Sequence, residues 1–158
     1  MDINVTLGDY ILNCRAVGVI IDNNKMLFQK KEKDKYWALP GGKISVGDTG
    51  ESTVKREILE ELGINCEVER VHSVVENFFS FGDDKYHQYI FCYILNVDKD
   101  NYIFNNEEFM GIEENKRIMY KWFDIDELSN SLIKPDYLKN LFNDINNKEI
   151  KFISNNEM

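Results

Sequence analysis

Cysteine is scarce in this chain, with only Cys14, Cys66 and Cys92 among 158 residues. Their number is odd, their spacing wide, and no Cys-x-x-Cys pair occurs, so neither a disulfide framework nor a thiolate zinc site is indicated. All three fall in apolar, strand-like runs, where a buried reduced thiol is the plain reading and a cytoplasmic location the matching expectation. Histidine is scarcer still: His72 and His87 lack the spacing of a metal-ligand pair. With only two prolines there is no Pro-rich linker, and no repeat or low-complexity tract breaks the chain. Residues 1–158 therefore read as a single domain, long enough to bury a real core. No apolar run reaches the length of a membrane span, and Asn13 and Arg15 interrupt the opening segment. Neither an anchor nor a secretory leader is expected. Basic charge is also short: 19 Lys and Arg face 28 Asp and Glu, a net charge of −9. That balance argues against a nonspecific nucleic-acid binder. A polyanionic substrate must be recruited by local lysines or a bound cation.

What the sequence does contain is aromatic and β-branched. "AVGVIID" (16–22) predicts a buried strand, Asn23-Asn24 a turn, and "KMLFQKK" (25–31) the returning strand. "YWALPGG" (36–42) predicts a short extended segment stopped by Pro40 and two glycines. Residues 64–79 and 86–97 predict long strands joined near Gly82, and 117–125 another strand. One or two closing helices are expected after "DIDEL", the second started by Pro135, then a short strand in "EIKFIS" and a frayed end. Strands and helices do not alternate strictly, which favours a mixed sheet between helices over a doubly wound parallel one.

The clearest helix runs from Gly50 to Leu62. Val54, Ile58 and Leu62 recur every four residues as an apolar stripe, and Gly63 supplies the stop. This helix crowds Glu57, Glu60 and Glu61 onto one face, within about 100° of one another on a helical wheel. Like charges at such spacing repel by roughly 0.2–0.5 kcal/mol per pair. Three rigid oxygen donors suit Mg²⁺ or Mn²⁺, which would turn repulsion into attraction. An ordinary solvated acidic face is the plain alternative.

The surrounding residues decide between these. From Gly42 to Ile64 the chain reads G-x5-D-x7-R-E-I-x-E-E-x-G-I, carried by Gly42, Asp48, Arg56, Glu57, Glu60, Glu61 and Gly63. This resembles the Nudix box, G-x5-E-x7-R-E-U-x-E-E-x-G-U with U aliphatic, and departs from it only at Asp48, where the family carries glutamate. The resemblance implies an α/β fold, an α/β/α sandwich around a central mixed β-sheet. It also implies metal-dependent hydrolysis of a nucleoside diphosphate linked to another moiety. By position, Glu57, Glu60 and Glu61 with the Gly41 carbonyl would be metal ligands, Glu57 or a partner carboxylate the base and Arg56 the support of Glu57, while Gly42 and Asp48 would shape the loop. The expected substrate is a small nucleotide such as a nucleoside triphosphate. The alternatives are a nucleotide sugar of the ADP-ribose type, an RNA 5′ end, or a sensor domain that binds without cleaving. Family members are often homodimers.

Outside the box, Lys31 and Arg15 are candidates for substrate phosphate, with a solvated strand end or a structural ion pair as the plain alternatives. "ENFFSFGDDKYHQ" (76–88) offers Phe79 for stacking a nucleobase and His87 as a pocket residue, against simple core packing. Glu113 or Glu114 is placed to add a ligand, or to be part of a solvated acidic loop.

Overall fold

Alternation with a period of two builds the sheet layers. In strand β2 (Tyr10–Val19) Val17 and Val19 point to one side and Ala16 to the other. In β4 (Lys25–Lys31) Met26 and Phe28 take the first side and Leu27 the second. The computed structural model describes all 158 residues. It adds β1 (Asn4–Leu7), β3 (Ile21–Asp22), β5 (Gly41–Lys43), β6 (Glu67–Phe81), β7 (Asp84–Asn96), β8 (Glu108–Met110), β9 (Ile118–Asp124) and β10 (Lys151–Glu157).

The larger sheet has the order β1-β2-β7-β6-β10, with β5 also paired to β2. It is mixed: β2 runs parallel to β7 and β10 parallel to β6, while β6 and β7 are antiparallel. The smaller sheet, β3-β4-β9-β8, is antiparallel throughout. Asn23 and Asn24 make the β3–β4 turn, both with positive φ (49° and 62°). Asn tolerates that conformation better than most side chains, and it suits the twist of a two-residue hairpin.

Helix α1 spans Gly50–Leu62 as its periodicity predicts. The Thr49 hydroxyl accepts the Ser52 N–H at 3.0 Å, and Gly63 (φ 71°) donates its N–H to the Leu59 carbonyl at 2.9 Å. Val54, Ile58 and Leu62 are fully buried. Their burial contributes about 5–9 kcal/mol at roughly 1.5–3 kcal/mol each, an order of magnitude more than the repulsion between the helix's glutamates. The helix therefore tolerates an acidic edge.

Two apolar layers result. One holds α1 with Ala16, Leu27, Tyr93, Leu95, Tyr120 and Trp122. The other holds Val17, Phe28, Ile90 and Cys92 under the closing segments, which contribute Leu128, Ile133, Leu138 and Phe142. Helical elements thus cover both faces of the sheet region. The closing segments differ from expectation. They are 3₁₀ turns at Ile125–Asn130 and Phe142–Asp144 around one short helix, α2 (Leu138–Leu141), which begins three residues after Pro135. The Asp136 N–H, which a helix begun at Pro135 would leave without a partner, donates to the Glu157 carboxylate at 3.2 Å. Nor is the end of the chain frayed: β10 pairs with β6 from Lys151 through Glu157, and Ile153 packs onto the core. No helix is long and apolar enough to cross a membrane.

Candidate active site

Two glycines let α1 approach the sheet. Gly41 has φ 155° and lies so close to β2 that a side chain there would strike the Ala16 carbonyl. Gly42 has the Glu57 side chain directly against it, so an added Cβ would stand 2.5 Å from the Glu57 carboxyl carbon. The pair forms a cradle into which a carboxylate fits and a methyl group does not.

The three glutamates take different environments. Glu61 is 4% exposed. One of its oxygens accepts the Tyr120 hydroxyl at 3.1 Å, and the other lies 3.6 Å from the Lys116 ammonium. Burial first, and the facing Glu57 charge second, push its carboxyl up to about 7, with Tyr120 and Lys116 pulling the other way. Glu57 is largely covered, whereas Glu60 is turned outward. Arg56 gathers the rest: its guanidinium is 3.4 Å from Glu57, 3.7 Å from Glu60 and 3.9 Å from Asp48. Being half exposed, these ion pairs contribute at most about 1 kcal/mol each, so Arg56 acts by fixing orientation more than by adding stability. Asp48, one methylene shorter than glutamate, still reaches it. Burial pulls the Arg15 guanidinium below its ordinary pKa, against the opposing charges of Glu57, Glu61 and Asp2. Arginine stays protonated nonetheless, and so places a positive charge beside the acidic pair.

No three carboxylates converge as a finished cage. What the residues offer is a facing pair, Glu57 and Glu61, with Glu60 one turn along. The carboxyl of that pair pushed up to about 7 is one that an added cation would stabilise in its charged form. Hard oxygen donors with excess negative charge fit Mg²⁺ or Mn²⁺.

Glu57 and Glu61 open into a polar cleft of about 500 Å³, also lined by Arg15, Lys30, Lys31, Gly41, Gly42, Lys43 and Lys116. A second cavity of about 610 Å³, lined by apolar and aromatic side chains including Phe79, Phe81 and Tyr137, shares Arg15, Tyr36 and Ala38 with the first. Lys31 and Arg15 are thus brought to the carboxylates, and Phe79 to the adjoining cavity. His87 lines neither cavity. Alternation along β7 puts Gln88 on the cavity side and His87 on the other, between the rings of Phe78 (4.5 Å) and Tyr89 (5.1 Å). Of the two loop glutamates, Glu113 is tied to the cluster through Lys116 at 3.2 Å. Lys116 and Tyr120 carried no sequence signal, because each reaches the site from a distant element. Gln88 and Glu157 line the second cavity for the same reason.

Residues 12–142 match the family model of the NUDIX domain. The chain is 28% identical over 138 residues to an 8-oxo-dGTP diphosphatase of Buchnera aphidicola subsp. Schizaphis graminum, covering 80% of this chain and 94% of that protein. It is 35% identical to an RNA pyrophosphohydrolase of Blochmanniella floridana over 68 residues, 41% of this chain and 42% of that one, so the match spans less than half of that relative. The crystal structure of a MutT protein from Methanosarcina mazei Go1 superposes with a TM-score of 0.59 at 22% identity, covering 91% of this chain and all of that one. With the box folded as a capped helix against a glycine cradle, and a family model matched over most of its length, this chain belongs to the Nudix hydrolase family.

Proposed function

We propose that this enzyme hydrolyses the pyrophosphate linkage of a small nucleotide, foremost a nucleoside triphosphate, with Mg²⁺ or Mn²⁺. The observation that carries the reading is the junction of the two cavities at Arg15. A polar cleft with Lys30, Lys31 and the Glu57–Glu61 pair suits a phosphate chain, and the aromatic cavity beyond it has room for a base.

Glu57, Glu60 and Glu61, with the Gly41 carbonyl, would hold the cation, which when bound supplies neutralisation of charge on phosphoryl oxygens and a more acidic water. The chain's own residues do the rest. Lys31 and Arg15 bind phosphate oxygens, which an acidic protein needs before its substrate approaches carboxylates. Glu57 takes the proton of the water that attacks phosphorus as the bridging oxygen departs. Arg56, tethered by Asp48, keeps Glu57 aimed at that water. The Buchnera relative, matched along nearly its whole length, supports a nucleoside triphosphate as first choice. A nucleotide sugar is the second reading, and an RNA 5′ end ranks lower because the chain's net charge is −9. Intact Arg56, Glu57, Glu60 and Glu61 oppose a purely sensing role.

A panel of nucleoside di- and triphosphates, nucleotide sugars and dinucleoside polyphosphates, incubated with either metal, tests the reading. Release of pyrophosphate or phosphate from a nucleoside triphosphate is expected. Turnover of none of the panel by folded protein would refute it.

A further inference from the structure

Residues 111–117 close the hairpin between β8 and β9 and are built against the end of α1. Gly111 donates its N–H to the Ile118 carbonyl at 2.9 Å, and Ile112 donates to the Glu61 carbonyl at 2.9 Å. The fit admits no side chain at 111, where a Cβ would stand 2.9 Å from the Tyr120 ring and 3.0 Å from the same Glu61 carbonyl. At the other end Arg117, with φ 48°, pairs with Glu32 at 2.9 Å, which tethers the loop to the segment after β4. These contacts set the loop's place relative to Glu61, and Lys116 is the side chain the loop brings there.

The two oxygens of Glu61 are held differently. Oε2 accepts the Tyr120 hydroxyl at 3.1 Å. Tyr120 is fully buried and stacked on Phe109, with ring centroids 5.5 Å apart and planes within 9°, so that donor has no room to swing away. Oε1 lies 3.6 Å from the Lys116 ammonium. Lys116 is half exposed on a flexible four-carbon stem, and its second partner, Glu113, sits in its own turn at 3.2 Å. Of the lysines in the polar cleft, Lys30, Lys31, Lys43 and Lys116, it alone forms an ion pair with the Glu57–Glu61 pair. A cation that binds Glu61 must take an oxygen from one of these two partners. Breaking the Tyr120 bond would leave a buried hydroxyl unpaired, whereas a half-exposed ion pair is given up at little cost. Oε1 is therefore the oxygen that can be surrendered.

We infer that Lys116 is a substrate-binding residue that changes partners: it neutralises Glu61 in the free enzyme, yields Oε1 to the cation, and then gives its ammonium to the phosphate chain. The inference rests on the proposed meeting of metal and phosphate in this cleft. Charge drives both moves. A divalent cation at Glu61 repels the ammonium, and Glu113 keeps that ammonium within the turn. Phosphate oxygens in the cleft already lined by Arg15, Lys30 and Lys31 are the anions then left to it. Removal of the Lys116 charge thus has two consequences of opposite sign: tighter cation binding and weaker phosphate binding.

Lys116→Met keeps the stem and removes the charge. Under argon at pH 8.5, above the range of the Glu61 carboxyl, Mn²⁺ without nucleotide should bind this variant about threefold to tenfold more tightly than wild type, its competitor being gone. With saturating Mg²⁺, the calorimetric Kd for methylenediphosphonate, a phosphate chain that water does not split, should rise about tenfold. Lys31→Met is the control: with no carboxylate partner to release, it should weaken methylenediphosphonate alone. A loop residue with only a structural role would weaken both ligands in Lys116→Met; that result, or an unchanged Kd for either ligand, overturns the inference. Wild type supplies a test that needs no variant. The acetylation rate of Lys116, followed by mass spectrometry, should rise severalfold when Mg²⁺ is added and fall again when methylenediphosphonate joins it. A rate indifferent to both overturns the exchange. None of these measurements uses turnover. The expected responses in a protein that hydrolyses none of the nucleotide panel would refute the proposed reaction and support the exchange, and efficient hydrolysis without a response at Lys116 would do the reverse.

Discussion

Gly42→Ala separates catalysis from folding. The Gly42 backbone lies outside the left-handed region, and its strand β5 pairs with β2 in ordinary register opposite Ala16, so the main chain accepts alanine. Only Glu57 objects: the new Cβ would stand 2.5 Å from its carboxyl carbon, 2.7 Å from Oε1 and 2.9 Å from Cγ. Ordinary carbon contacts need about 3.5–4.0 Å, so the carboxylate must retreat by roughly 1 Å. A displacement of that size in a positioned catalytic group costs about a hundredfold in rate. The neighbour that gives way is a side-chain end rather than backbone, so stability should change by less than about 1 kcal/mol. Gly41→Ala is the contrasting case. Its φ is 155° and its Cβ would meet the Ala16 carbonyl of β2, which cannot move without breaking the strand pair. There a loss of at least about 1–3 kcal/mol is expected. The assay is kcat and KM for nucleoside triphosphate hydrolysis with Mg²⁺, beside calorimetric melting and Mn²⁺ affinity. A Gly42→Ala protein with kcat within about twofold of wild type would mean that Glu57 can move freely, and the assignment of Glu57 would fall.

Metal uptake should depend on pH. The Glu61 carboxyl, raised to about 7, must lose its proton to bind a cation, so Mn²⁺ affinity should climb from pH 5.5 and level off above about 7. Calorimetry in buffers of different ionisation enthalpy would show the released proton; pH-independent affinity would contradict the geometry. Glu61→Gln should lose turnover by orders of magnitude yet melt no lower than metal-free wild type at pH 8, because it removes a buried charge facing Glu57. Glu60→Gln should lose turnover with an unchanged melt, its side chain being half exposed. His72 is fully buried, with Nε2 unpartnered, and burial holds it down to about 4, assisted by the Arg70 and Lys151 charges. Below pH 6.5 the unfolded chain binds a proton there that the folded chain refuses. Its share of stability therefore falls by on the order of 3 kcal/mol between pH 6.5 and 4, and is flat below. Denaturant titrations of His72→Phe should lack that component; identical acid slopes in both proteins would refute it.

Local signals carried the helix and its surroundings. Val54, Ile58 and Leu62 fix the buried stripe of α1 through i,i+4 spacing, Gly63 fixes its end, and the same spacing sets the three glutamates along its edge. Asn23-Asn24 specified a hairpin turn because backbone preference is a property of one or two residues. The box pattern, read over 23 consecutive positions, was enough to indicate the family.

Tertiary structure alone decided the rest, because it depends on pairings that no local pattern encodes. Whether a β-strand residue faces the cavity or its reverse is a matter of register, and one step along β7 separates Gln88, inside, from His87, outside. The polar run at the chain's end looks like a solvated tail until Asn155 meets Asn77, 78 residues earlier. Lys116 and Tyr120 reach Glu61 from β9 and the loop before it, 55 and 59 positions away along the chain. Spacing along the backbone determines which groups a helix can present; the sheet's long-range register determines which partners meet them.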